Sequence, residues 1–191
     1  MSLLIIKIEE YKKYVGIFGF KNVNVSDIEG FISKIREISN GIQIQVFDAN
    51  FIAGWEHLYF AVLNALKAFE GKYNISENIE IEIILFAAFQ HQIRKALEIL
   101  GVKRKSSNLA IVILADSEEN IQDALKFILK IVNGVLDENV VEVDENKLQN
   151  LMDTFSISEL ELSTKTSQKN LWISAVKDLI IERIAISATQ R

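Results

Sequence analysis

QVFDANFIAGWEHLYFAVLNALKAFEGKYNISENIEIEIILFAAFQHQIRKALEILGV, residues 45–102, followed by the apolar run LAIVILA at 109–115, decides the fold of this 191-residue chain. Wound at 3.6 residues per turn, residues 55–70 gather Leu58, Ala61, Val62, Ala65, Ala68 and Phe69 on one side, the pattern of a helix laid on a core. His57, Phe60, Asn64 and Lys67, spaced 3, 4 and 3, form a ridge on the other side. An aromatic face, an amide, an imidazole and an ammonium in one row can stack on a base and hold a phosphate. The same row also fits an ordinary solvated face with Phe60 leaning on a neighbour. Gly71 stops this helix, and the polar link 72–76 follows it. Residues 79–86, IEIEIILF, alternate and then run continuously apolar, which reads as a strand entering the core. A helix is expected over 90–100 with Ile93, Ala96, Leu97 and Leu100 inward, closed by Gly101. LAIVILA, apolar throughout and short, reads as a buried strand.

Upstream, residues 3–8 and 14–20 are β-branched and aromatic runs bounded by charge or glycine, and both read as strands. Ser26 with Glu29 three residues on has the form of a capping box and predicts a helix over 27–38. Its Ile28, Phe31, Ile32 and Ile35 face the sheet, and Asn40-Gly41 ends it. IQIQVF at 42–47 alternates as a half-buried strand does. Downstream, Asp116 and Ser117 open a helix over 118–132 with Ile121, Leu125, Ile128 and Leu129 as its stripe. A strand over 140–143, a short helix over 147–155 capped by Asp144, and a serine-rich polar segment at 163–168 come next. The last helix covers 169–187. The expected fold is α/β of the α+β kind: one domain over residues 1–191, with a central mixed or antiparallel sheet flanked by helices.

The last helix carries Leu171, Trp172, Ile173, Val176, Leu179, Ile180, Ile184 and Ile186 over more than half its circumference. A surface helix needs an apolar stripe only about 100° wide. Either both sides are covered within this chain, or part of the helix meets another protein.

Apolar content of 49% with 25% charged residues is globular composition. The chain has no cysteine, which excludes a disulfide framework and a cysteine nucleophile and agrees with a reducing compartment. The apolar start is too short for a signal peptide, and no run approaches the ~20 residues of a membrane span, so a soluble cytoplasmic protein is expected. A net charge of −5 excludes coating of nucleic acid, and any such contact must be a local patch.

Catalytic motifs are missing: the dinucleotide, P-loop, nucleophile-elbow and zincin patterns are not found. The two histidines, His57 and His91, lie on separate helices with no cysteine to complete a zinc site, and His91 reads as a surface or hydrogen-bonded residue. The pairs Glu9-Glu10, Glu118-Glu119 and Asp137-Glu138 sit where solvated ends or caps are expected. No enzyme, metal, cofactor or small-molecule substrate is indicated. Lys67, Lys72, Arg94, Lys95, Lys103, Arg104 and Lys105 fall in or beside the central stretch. They form either a basic edge beside the Phe60 ridge or the usual cations of helix C-termini.

One family shares these residues. F-D-A-N-F-I-A-G-x-E-H-L-x-F-A-x-L-N-A-L-K-A-F at 47–69, N-I-S at 74–76, I-I-L-F-A at 83–87 and Q-x-Q-I-x-x-A-L-E-I-L-G at 90–101 closely resemble the small non-catalytic KEOPS subunit. This is the family of the PRPK-binding protein TPRKB and its archaeal relatives. E-R-I-A at 182–185 resembles the family's ending. The resemblance implies a sheet covered by helices, and membership in the complex that adds threonylcarbamoyl to tRNA adenosine. It implies that the subunit docks on the amino-terminal lobe of a PRPK-type kinase and, in archaeal-type members, holds the 3′ CCA end of tRNA. On that basis His57, Phe60, Asn64, Lys67, Lys72, Asn74, Ser76, Gln90, His91, Gln92 and Arg94 are the expected RNA-binding residues. Trp172, Val176, Ile180, Arg183 and Ile184 are the expected kinase interface. For the amides and hydroxyls, capping and core hydrogen bonds are the alternative. The family's G-Q-R-Q-I reads Phe89-Gln90-His91-Gln92-Ile93 here, so a glycine and an arginine are replaced. Either Phe89 stacks and His91 donates, or Arg94 supplies the cation. A kinase adaptor without RNA affinity, and a small enzyme with an unrecognised pocket, are the other readings.

Overall fold

Every residue of LAIVILA is buried, because the strand it forms runs inside a sheet whose two faces are both covered by helices. The computed structural model describes residues 4–38 and 41–190. The strands are β1 (Leu4–Ile8), β2 (Lys13–Lys21), β3 (Gln43–Asp48), β4 (Leu109–Ala115) and the short β5 (Val135–Leu136). They lie in the order β1-β2-β4-β3, with β5 also on β2, and every pairing is antiparallel. The helices are α1 (Ile28–Ile38), α2 (Trp55–Gly71), α3 (Ile79–Ala87), α4 (Ile93–Leu100), α5 (Glu118–Ile131), α6 (Glu145–Thr154), α7 (Glu159–Lys165) and α8 (Trp172–Ala188). None is long and apolar enough to cross a membrane.

Alternation along β4 divides the core. Leu109, Ile111 and Ile113 join Phe18, Phe20, Ile44 and Val46 beneath α1 and α5. Ala110, Val112 and Leu114 join Val15, Ile17 and Phe47 on the opposite face, beneath the layer built from α2, α3, α6 and α8. Successive side chains of a strand point to opposite faces, so one run of seven residues serves two cores. Lys147 of α6 is carried into the second layer, where its ammonium donates to the carbonyls of Ile52 and Val140, and burial pushes its pKa down to about 8.

Four expectations are corrected. Residues 79–86 form α3, not a strand. Within α3 every residue from Glu82 to Ala87 is buried, and a helical stretch covered on every side shows no 3.6-residue polar rhythm to read. Residues 140–143 form no strand; Val135 and Leu136 pair with β2 instead. Asp137 holds a tight turn there, accepting from the Asn139 amide at 3.0 Å while its own N–H donates to Gly19 at 2.8 Å. The start of α1 is capped by Asp27, which accepts the Gly30 N–H at 3.0 Å, so the Ser26–Glu29 box is not used. The polar segment 163–168 begins as the end of α7.

Smaller shifts concern which residues turn inward. The fourth helix starts at Ile93, and there Ala96 and Leu100 are buried while Ile93 and Leu97 stay 39% and 42% exposed. In α5 Ala124 turns inward and Leu129 outward. Leu3 and Asn40, assigned a strand end and a helix stop from sequence, lie outside the described residues.

Candidate functional site

The segment between β3 and α2 makes the shared frame of the candidate surfaces. Asp48 is buried at the end of β3, where one carboxylate oxygen accepts the Asn50 N–H at 3.0 Å and the other accepts the Ser106 hydroxyl at 2.6 Å. Ser106 in turn accepts the Lys103 N–H at 2.9 Å. One carboxylate thus fixes both the start of the FDANF turn and the basic loop Lys103, Arg104, Lys105, whose side chains are exposed. The Lys103 ammonium sits 4.8 Å from the centre of the Phe51 ring. Reasoning from sequence missed this relay, since Asp48 and Ser106 are 58 positions apart.

Gly54 then turns at φ +93°, and a Cβ there would meet the Lys177 side chain at 2.7 Å. Lys177 of α8 crosses the start of α2 and pairs with Glu56 at 3.2 Å and Glu142 at 3.1 Å.

His57 is not on the surface ridge. It is completely buried beneath the end of α3. Its Nδ1 accepts the Ala53 N–H at 3.1 Å, which leaves the ring proton on Nε2 to donate to the Ala87 carbonyl at 2.9 Å. Burial pushes its pKa down to about 4. The imidazole is a neutral clasp joining the turn before α2 to the last turn of α3. The ridge that remains is Phe60, 37% exposed with Tyr59 edge-on at 5.7 Å, then Asn64 and Lys67. Asn64 donates its amide to the Phe60 carbonyl at 3.0 Å.

The N-I-S turn is mostly internal architecture. Lys72 closes α2 in the left-handed conformation at φ +58°, with its side chain exposed. Asn74 donates to the Ser76 carbonyl at 2.9 Å, and buried Ser76 accepts the Asn78 N–H at 3.1 Å. The amides of Ile75 and Ser76 both donate to one oxygen of buried Glu82, at 3.0 and 2.9 Å. Ser76 is therefore a capping group rather than a surface contact, which was the alternative left open from sequence.

Phe89 adopts φ +52°, a region that favours glycine. Its ring turns inward onto Phe155 at 5.0 Å and His57 at 6.4 Å, so Phe89 does not present a stacking face. Phe89→Gly relaxes the backbone but opens the space between those rings. The expected balance is a loss of about 1–3 kcal/mol, read by urea denaturation. Gln90 is half-buried, and its N–H donates to the Leu85 carbonyl at 3.0 Å. His91 and Gln92 are exposed, and Arg94 projects into solvent beside Glu98 at 2.9 Å.

The residues expected at the kinase are largely internal. Val176 and Ile180 are fully buried in the second core layer, and Ile184 is fully buried as well. Arg183 donates from Nη2 to both carboxylate oxygens of Glu161, at 2.8 and 2.9 Å, and from Nη1 to the Phe155 carbonyl. Trp172 is half-buried, with the Lys169 ammonium 5.1 Å from its ring centre. Most of the apolar arc of α8 is covered by α2, α3, α6 and α7 within the chain, while Leu171 just before it and Ile186 near its end stay 45% and 54% exposed.

The accessible candidates fall into two groups. Phe60, Asn64 and Lys67 lie on α2; His91, Gln92 and Arg94 open α4, whose end leads to the Lys103–Lys105 loop. Among the described residues, no group of three His, Asp or Glu stands where it could hold a metal ion.

Two comparisons bear on this arrangement. Residues 20–188 match the family described as kinase binding protein CGI-121. The regulatory protein Cgi121 of Methanocaldococcus jannaschii is 28% identical over 123 residues, 64% of this chain and 77% of that protein.

Proposed function

We propose a function from one premise: the chain belongs to the CGI-121 family of kinase-binding proteins, whose profile it matches over residues 20–188. Working as one unit over residues 1–191 in the cytoplasm, it is a non-catalytic KEOPS subunit. It docks on the amino-terminal lobe of a PRPK-type kinase and holds the 3′ CCA end of tRNA during threonylcarbamoyl-adenosine formation. The family match carries the kinase half of this reading. With Val176, Ile180 and Ile184 inside the core, the α8 side offers Trp172 and its neighbour Leu171 for docking.

The RNA half is supported by the exposed Phe60 ring with Lys67, and by the cations Arg94, Lys95, Lys103, Arg104 and Lys105 around α4. Single-stranded ends are held by stacking, about 1–3 kcal/mol per base, with a few cations on the backbone. A short tail needs few phosphate contacts, which a chain of net charge −5 can supply locally.

The test is binding of intact tRNA against the same tRNA trimmed of its CCA end. Trimming is expected to abolish binding, with Phe60→Ala and Lys67→Ala weakening the intact complex. Equal binding of both, or of neither, overturns the CCA role. That result favours the second reading, a kinase adaptor with no RNA affinity, which the net negative charge supports.

A further inference from the structure

Strand β3 is an edge, and its outward hydrogen-bonding groups can be assigned. Ala49 donates its N–H to the Asn108 carbonyl at 3.0 Å, so the mutually bonded pairs of the β3–β4 ladder fall at Phe47–Ala110 and Gln45–Val112. Ile44 and Val46 therefore turn their N–H and C=O groups away from β4. Among the described residues only one of these four groups has a partner: the Val46 carbonyl accepts the side-chain amide of Gln45 at 3.0 Å. A groove of about 710 Å³ runs along this edge. Ile32 and Ile35 of α1 form one wall, and Ile81 of α3 with Leu97 of α4 forms the other.

We infer that this groove takes an extended peptide segment of another protein, which adds a strand to β3. Three features select that occupant. The edge offers a main-chain ladder, which only an extended backbone can complete. A strand laid there points alternate side chains at Ile32 and Ile35 on one face and the intervening ones at Ile81 and Leu97 on the other, so every inner position of the segment meets an apolar wall and is apolar or β-branched. The groove is walled on both sides. The β3 edge of a second copy is sunk between its own α1 and α3, so two such edges cannot meet, whereas a single unflanked strand can. Gln45 holds the Val46 carbonyl in place of the incoming N–H, since an open edge left unpaired otherwise invites non-specific pairing. Leu97, left 42% exposed, becomes covered by the peptide. This inference does not depend on the tRNA reading.

The test uses the ¹⁵N-labelled full chain and the blocked peptide acetyl-KVTITVK-amide, with the same peptide N-methylated at every inner residue as control. The expected result is slowing of amide exchange at Ile44 and Val46 by about tenfold or more with the first peptide and none with the second. Leu97→Glu, at a half-exposed position that leaves the circular dichroism spectrum unchanged, is expected to abolish the effect. No slowing at about 1 mM peptide overturns the proposal, as does equal binding of both peptides. Concentration-dependent protection of the same amides without peptide also overturns it, by assigning the edge to self-association.

Discussion

Acidification from pH 6.5 to pH 4 removes about 3 kcal/mol of stability through His57 alone. The sign follows from where the proton binds. In the unfolded chain the imidazole titrates at its ordinary 6.5; in the folded protein burial holds it at about 4. Between those values the unfolded state binds more protons, so stability falls as pH falls through the window and the loss is complete below about pH 4. Protonation also removes the Nδ1 acceptor that the Ala53 N–H uses. Asp137 and Asp144 lie below the ordinary carboxylate value of 3.8, Asp137 held there first by Lys21 and Asp144 by the Lys147 amide. Their contributions are lost only below that pH, so the two effects separate. Urea denaturation at a series of pH values measures the slope, and His57→Gln is expected to flatten it. A slope that persists in the variant assigns the loss to another group.

Replacing Glu82 with alanine is expected to cost about 3 kcal/mol or more. The carboxylate is fully buried and one oxygen receives both the Ile75 and the Ser76 amide, so its removal strands two donors at once. Glu82→Gln keeps a carbonyl acceptor at the same place and is expected to lose less. Denaturation gives the magnitude, and hydrogen exchange gives the location: the amides of Ile75 and Ser76 should exchange faster in Glu82→Ala while Ile111 and Val112 in the central strand do not. Uniform acceleration across both regions would point to global destabilisation instead of a local release of the turn.

Both residues also show why some segments could be read and others could not. Glu82 looked like the polar member of an alternating strand because IEIEI has period two; in α3 it is a buried acceptor whose partners lie six and seven residues earlier. His57 has the spacing of a ridge with Phe60, Asn64 and Lys67, but the ridge starts in the first turn of α2, where the end of α3 covers it. Spacing states which residues share a helix face and does not state what lies on that face.

By itself, the sequence determined the helix read at 55–70, which the structure extends by one residue, the strands around LAIVILA, the cap at Asp144 and the family, because each rests on local periodicity, local hydrogen bonds or residue identity. Only the tertiary structure decided that α3 is a helix, that His57 and Ser76 face inward, and that Val176, Ile180 and Ile184 belong to the core of this chain. Periodicity is written into a sequence only where one side of an element meets water and the other does not. Where an element is covered on every side, that contrast is gone, and its partners, such as Ser106 for Asp48 or Glu161 for Arg183, are chosen by the approach of distant parts of the chain.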